Sequence, residues 1–311
     1  VQVHAFHIAT EDLPDLDSPP DAWIELVGVS PQLQPQFILL ADPGSQGVNE
    51  LLQGLDFAYS GSVKIGGLAS VSPISGRGGL FSQYQRHKGG VVGVALSGNI
   101  VLDAIVAQGC RPIGRPYRVV EAERNILMKV EEDGDSATCG LASTPLEALQ
   151  SLIQTLNETD RLLAQRSLFI GVAQNAFKQH LERGDFLIRN LLGVDPRTGA
   201  IAVGDRMRPG QRIQFHLRDA SASAEDLKTL LEQYARQSQA NPLSAKGALM
   251  FACMGRGEGL YNEPDFDSSL FSEYFSVPVS GFFCNGEIGP VAGSTFLHGY
   301  TSVFGICRQR Q

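Results

Sequence analysis

The chain has 311 residues, 43% hydrophobic and 19% charged, with a formal net charge of −8 and a pI near 5.3. A chain this long and this apolar can fill an ordered core, which excludes a disordered or collagen-like protein. The acidic balance argues against a generic nucleic-acid binder and an anionic membrane surface, both of which call for Lys and Arg; no apolar run approaches the roughly 18–20 residues of a membrane span.

The opening residues Val1–Ile8 read as a strand. An acidic, Pro-rich loop follows, and Ser18-Pro19-Pro20 is expected to start a helix over Asp21–Val27, with Ser18 as N-cap. Phe37–Ala41 and Val63–Gly67 read as strands around a helix at Asn49–Phe57. Ser72–Gly90 is expected to be a long loop before the buried strand Val91–Leu96. In the middle, Tyr117–Val120 and Asn125–Val130 are strand-like. Thr144-Pro145 opens a helix through Leu156, with Thr144 as cap and Glu147 in its first turn. Leu168–Ala173, Phe186–Leu192, Ala200–Val203 and Arg212–Leu217 read as strands, with turns at Asp195–Gly199 and Pro209-Gly210. Ala224–Arg236 is an amphipathic helix for which Ser223 and Asp226 offer a capping box.

The last third repeats the first. Strand Ala248–Cys253, helix Ser268–Phe275, strand Val277–Cys284, a Gly-rich loop and strand Thr301–Cys307 reproduce the earlier order. The spacing from Leu249 to Val277 is close to that from Ile38 to Val63. The fold expected is α/β, with mixed sheets and flanking helices, arranged as two similar lobes related by an internal duplication and a pseudo-two-fold. A cleft between such lobes is a preferred place for a small ligand.

Five cysteines, an odd number with no CxxC, argue against a disulfide framework and for a reducing, cytoplasmic setting. No signal peptide is read, and the start at Val1 without Met leads us to expect that upstream sequence is missing. No HExxH motif or Cys/His cluster occurs, so neither a metal nor a cofactor is expected. Ser75–Gly79 has the glycines of a phosphate loop without its GK[ST] ending.

The residues that carry chemistry cluster at strand ends. Glu287 is an acid in the apolar, Gly-rich run Gly281–Pro290, beside Cys284 and Asn285. It suits an ammonium group or a base of raised pKa, and equally a loop cap. Arg256 lies between two glycines after Cys253 and offers its fork to a carboxylate. Arg218 and Asp219 end another strand, where Asp219 is expected to cap a helix or pair with Arg218. His298 stands before the final strand, and as a lone His it is more often structural. Together, Arg256 (or Arg218) for a carboxylate and Glu287 for an amino group match an amino acid. A Cys284 nucleophile with His298 as its base is the enzyme alternative.

Several of these runs resemble the FIST family, sensory modules of signal transduction proteins that also occur in some eukaryotic F-box proteins. They are Gly184–Asn190, Gln214–Ala220, Cys253–Gly257, Val277–Phe283, Gly286–Pro290 and Phe296–Thr301. The similarity covers about 115–311 as the FIST C-terminal domain, while 1–114 is similar to the end of the N-terminal one. What the resemblance implies is small-ligand sensing, with amino acids as the ligand class, and no catalytic residue. A signalling protein is the partner expected, with no nucleic acid and no membrane insertion. An F-box relative also raises a protein-interaction scaffold as the alternative.

Overall fold

A computed structural model describes the chain except for residues 71–78, 135–141, 176–177, 241–244 and 311. In chain order, the first stretch contains β1 (Gln2–Ile8), α1 (Pro20–Val27), β2 (Gln36–Ala41), α2 (Val48–Ala58), β3 (Lys64–Leu68), β4 (Leu80–Ser82), β5 (Gln85–His87), β6 (Val91–Ser97) and β7 (Val101–Gln108). The middle holds β8 (Cys110–Glu123), β9 (Ile126–Glu132), α3 (Pro145–Thr155), α4 (Glu158–Ser167), β10 (Leu168–Ala173), β11 (Phe186–Val194), β12 (Ile201–Val203), β13 (Arg212–Arg218) and α5 (Ala220–Ala240). The last stretch holds β14 (Ala245–Cys253), α6 (Glu258–Tyr261), α7 (Phe266–Tyr274), β15 (Val279–Cys284), β16 (Glu287–Val291), β17 (Ser294–His298) and β18 (Thr301–Arg308).

The chain forms two compact units: 1–107 with 224–311, and 108–223. In the first, two sheets carry the duplication. One has the strand order β1-β6-β2-β3-β16-β17 and the other β15-β14-β18-β7. Read from the opposite edge, β7-β18-β14-β15 repeats β1-β6-β2-β3 strand for strand. In both, a parallel pair (β2 with β3, β14 with β15) lies beside an antiparallel neighbour (β6, β18). The fold is α/β with mixed sheets and two similar halves, and its duplication shows in this shared order. The halves do not open a cleft along their facing sheets: Ile65, Leu102, Phe251, Cys284 and Val303 join there in one apolar core. On the far side of the first sheet, Trp23, Leu51, Leu52 and Leu55 of α1 and α2 pack on Phe37 and Leu39. On the far side of the second, Leu227, Leu231 and Phe271 of α5 and α7 pack on Phe304 and Ile306.

The glycines at the centre of the two equivalent strands explain the tight pairing. A Cβ on Gly66 would fall 1.7 Å from the Leu39 carbonyl oxygen, and one on Gly281 would fall 1.7 Å from that of Met250. No side chain fits between those backbones.

The second unit is a closed barrel, β10-β11-β12-β9-β8-β13, with every pairing antiparallel. Closure leaves it without a free edge. Val119, Leu127, Ile170, Val172, Ile201 and Phe215 form its core with Leu149 and Leu152 of α3.

Local signals were realised unevenly. Thr144 and Glu147 form the reciprocal capping box at α3. Helix α1 is instead preceded by Pro19 with no side-chain cap, so Ser18 does not have that role. Helix α5 begins at Ala220, before the expected Ala224, because Asp219 accepts from the Ala222 N–H at 3.1 Å. The expected loop at 72–90 contains the β4–β5 hairpin, and the Gly-rich loop after β15 is the β16–β17 hairpin. Ser75–Gly78 of the glycine run lies outside the described residues. The cysteines among the described residues are free, and Cys139 is not among these.

Candidate functional site

The ends of β14 and β15 place Cys253 and Cys284 side by side in register, both strands running the same way. β15 then leaves its sheet. The Leu68 N–H donates to the Gly286 carbonyl at 2.8 Å and the Asn285 N–H to Leu68 at 3.2 Å, so β16 joins the outer edge of β3 in the first sheet. This crossover carries Glu287 into a fully buried position.

Glu287 is held from one side. Its Oε2 accepts from the Thr301 N–H at 3.0 Å and from Thr301 Oγ1 at 2.6 Å. Its Oε1 lies 3.6 Å from Cys284 Sγ, which also donates to the Ala252 carbonyl at 3.4 Å. Burial pushes the Glu287 carboxyl up to about 7, against the opposing effect of the Thr301 bonds and the Arg256 charge. Burial, and then the Glu287 carboxylate, raises the Cys284 thiol far above its ordinary value.

Arg256 is also buried. Its fork is bidentate to Asp267, Nε to Oδ2 at 2.7 Å and Nη2 to Oδ1 at 2.9 Å, and Nη2 also donates to the Tyr261 hydroxyl at 2.7 Å. Nη1 has no hydrogen-bond partner among the described residues. Burial disfavours its charge, but Asp267, followed by Tyr261 and Glu287, outweighs that and raises its pKa. A small cavity of about 40 Å³ lies beside it, lined by Met250, Gly257, Asp267 and Phe283 among others.

The structure thus brings Arg256, Glu287, Cys284 and Cys253 together around the ends of β14 and β15, with Asn285 in the crossover. His298 pairs with Glu287 across the hairpin, but its ring Nε2 bonds the Gly289 carbonyl at 3.0 Å and points to a structural role. Arg218 and Asp219 belong to the barrel unit and not to this cluster. Asp219 pairs with Arg111 at 2.9 Å rather than with Arg218. A carboxylate arriving at Arg256 would find Nε and Nη2 already engaged by Asp267 of α7, which is buried as well. Sequence reasoning missed Asp267, Tyr261 and Thr301. Only Thr301 had a signal, at the end of the Phe296–Thr301 run. Among the described residues no group of His, Cys, Asp and Glu is arranged to hold a metal ion.

Family models for the FIST N domain and the FIST C domain match residues 2–133 and 145–290. The chain belongs to the FIST family. FIST domains are associated with sensory roles in signal transduction. An uncharacterized protein of Mycobacterium tuberculosis strain H37Rv is 36% identical over 266 residues, 85% of this chain and 66% of that relative. An uncharacterized protein of Mycobacterium bovis is 35% identical over 85% of this chain and 65% of its own length. The FIST chain therefore spans just under two thirds of these relatives. An F-box/LRR-repeat protein of Arabidopsis thaliana is 32% identical over 117 residues, 32% of this chain and 22% of its own. The FIST N match ends inside the barrel, after β8 and β9, and the FIST C match supplies β10–β13. No helix among the described residues is long and apolar enough to cross a membrane.

Proposed function

We propose that this chain is the ligand-sensing part of a cytoplasmic signalling protein, and that the Arg256–Glu287 cluster receives a small zwitterion of the amino-acid class. The observation that carries this reading is a fully buried guanidinium with one nitrogen unpaired, in electrostatic reach of a fully buried carboxyl. Proteins rarely leave such a donor unsatisfied, because desolvating it without a partner costs free energy. The carboxylate of the ligand takes Arg256 Nη1 and its ammonium takes Glu287, whose proton is released on binding. Entry requires this cavity to widen, since at about 40 Å³ it is far below the size of a pocket that encloses a small molecule.

Cys chemistry is disfavoured by the raised thiol of Cys284 and by the commitment of the His298 ring to Gly289. The Arabidopsis F-box relative favours a second reading, a scaffold for a protein partner.

The test is a thermal-shift screen of the purified chain against the twenty amino acids. A ligand at about 100 times its dissociation constant adds roughly 2.7 kcal/mol. The expected result is a hit that vanishes in Glu287→Gln. A hit that survives Glu287→Gln and Arg256→Lys would move the site elsewhere; no hit from a folded sample would favour the scaffold.

A further inference from the structure

The two halves match strand for strand except at one edge. In the first sheet the outer edge of β3 is covered by β16, which pairs antiparallel with Gly66 opposite Ile288. In the second sheet the equivalent strand β15 ends the strand order with no strand beyond it among the described residues. The consequence is visible in burial. Lys64 to Gly67 of β3 are buried, whereas Ser280, Gly281 and Phe283 of β15 are exposed.

The hydrogen-bond phase of that edge follows from its bonds to β14. The Ala248 N–H donates to the Pro278 carbonyl and the Met254 N–H to the Cys284 carbonyl. In a parallel ladder alternate residues face the same neighbour. Residues 278, 280, 282 and 284 therefore turn to β14, and Val279, Gly281 and Phe283 turn their N–H and C=O outward. Among the described residues, Ser70 donates its hydroxyl to the Phe283 carbonyl. β15 carries no charge and no internal Pro, the devices by which natural edge strands are blunted. Phe283 is 46% exposed on it.

We infer that β15 is a self-docking edge, through which two copies of this chain pair antiparallel about Gly281. The outward set is self-complementary under a two-fold axis at Gly281. Gly281 exchanges both bonds with its counterpart, and each Val279 meets the other copy's Phe283, whose carbonyl has a second lone pair beyond the one used by Ser70. The four-stranded sheet then continues as eight strands. The same edge position is already filled by an antiparallel strand in the other half, so the geometry is one this fold accommodates. An interface of one strand edge falls at the small, transient end of the range, so association depends on concentration.

The experiment is sedimentation velocity over a concentration series, together with amide hydrogen exchange at low and high concentration. Expected are a monomer–dimer equilibrium and slower exchange of the Gly281 amide in the dimer. Phe283→Lys should abolish dimerisation with the thermal midpoint retained, and Val279→Lys should abolish it as well, at a lower midpoint because Val279 packs in part on the core of Leu227 and Phe304, while Phe57→Lys, at an exposed position of α2, should not affect it. The exchange measurement uses the unaltered chain, so a misfolded variant does not spare the inference. A monomer at every concentration overturns it. So does a dimer that survives both lysines, or Gly281 exchange that is independent of concentration, the result if another segment of the same chain covers the edge.

Discussion

Glu287 and Thr301 tie the two sheets together. Glu287 begins β16, which belongs to the first sheet, and Thr301 begins β18, which belongs to the second; the carboxylate spans them with bonds of 3.0 and 2.6 Å to one residue. The cross-link sits where the chain crosses from one half of the duplication to the other, and it is buried, so its charge state affects stability.

Glu287 titrates near 7 in the folded chain against an ordinary value of 4.5. Between those values the unfolded chain has released the proton and the folded chain still holds it. Its contribution to stability is therefore complete below 4.5 and is lost as pH rises to 7, a change on the order of 3 kcal/mol. Glu287→Gln keeps an acceptor for Thr301 and removes the titration. Urea unfolding from pH 4 to 8 should show the variant gaining on the parent as pH rises. Parallel curves would place the carboxyl in a more polar setting.

His216, in the barrel, acts in the opposite sense. Its Nδ1 bonds the Gln214 carbonyl at 3.0 Å, and burial lowers its pKa to about 4. Below pH 6.5 the unfolded chain gains a proton that the folded chain refuses, so this contribution is lost as pH falls from 6.5 to 4. His216→Gln should flatten the acid limb of the stability profile. An imidazole resonance titrating near 6.5 in the native protein would refute the burial argument.

Arg256 and Asp267 form a buried bidentate pair. Arg256→Ala and Asp267→Ala should each destabilise by about 3–5 kcal/mol, because each leaves one charge buried and unpaired. The double Arg256→Ala/Asp267→Ala variant should cost much less than the two single losses combined. Additive losses in a double-mutant cycle would mean that the two groups do not depend on each other.

Gly66 and Gly281 stand at equivalent places in the two halves, each with a backbone oxygen 1.7 Å from where a Cβ would lie. Alanine at either position should cost about 3 kcal/mol or more, since a backbone cannot give way as a side chain can. Denaturant midpoints would measure it. A neutral Gly281→Ala would show that β15 lies farther from β14 than described here.

Cys284 should resist alkylation. At pH 8 iodoacetamide should label the half-buried Cys253 and Cys307 first and reach Cys284 only on unfolding, as peptide mass mapping would read. Fast native labelling of Cys284 would reopen the case for a thiol nucleophile.

The duplicated half was legible because its strands are apolar runs bounded by glycine, and because the order of elements repeats. The barrel was legible strand by strand, since β9 to β13 were all read, but its closure was not: β8 was read only at Tyr117–Val120, because Cys110–Glu123 has mixed polarity, including Arg111, Arg115 and Arg118, which pair with acids outside the core. Helix α4 buries no residue, so it offers no apolar stripe to read. At the site, sequence spacing picked out Arg256 and Glu287 as unusual charges between glycines. It could not supply Asp267, which the folding of α7 brings to Arg256. The crossover at Asn285 was also hidden, because a Gly-rich run does not say which sheet it joins.

That crossover has a consequence for synthesis. The outer edge of β3 is complete by Leu68, yet its partner β16 starts about 220 residues later in the chain. At roughly 5–20 residues per second a ribosome needs on the order of 10–40 s to deliver it. Throughout that interval a nascent strand that is buried in the finished protein stands with its backbone groups unmatched. The barrel, whose strands all lie between these two points, is completed while that edge is still open.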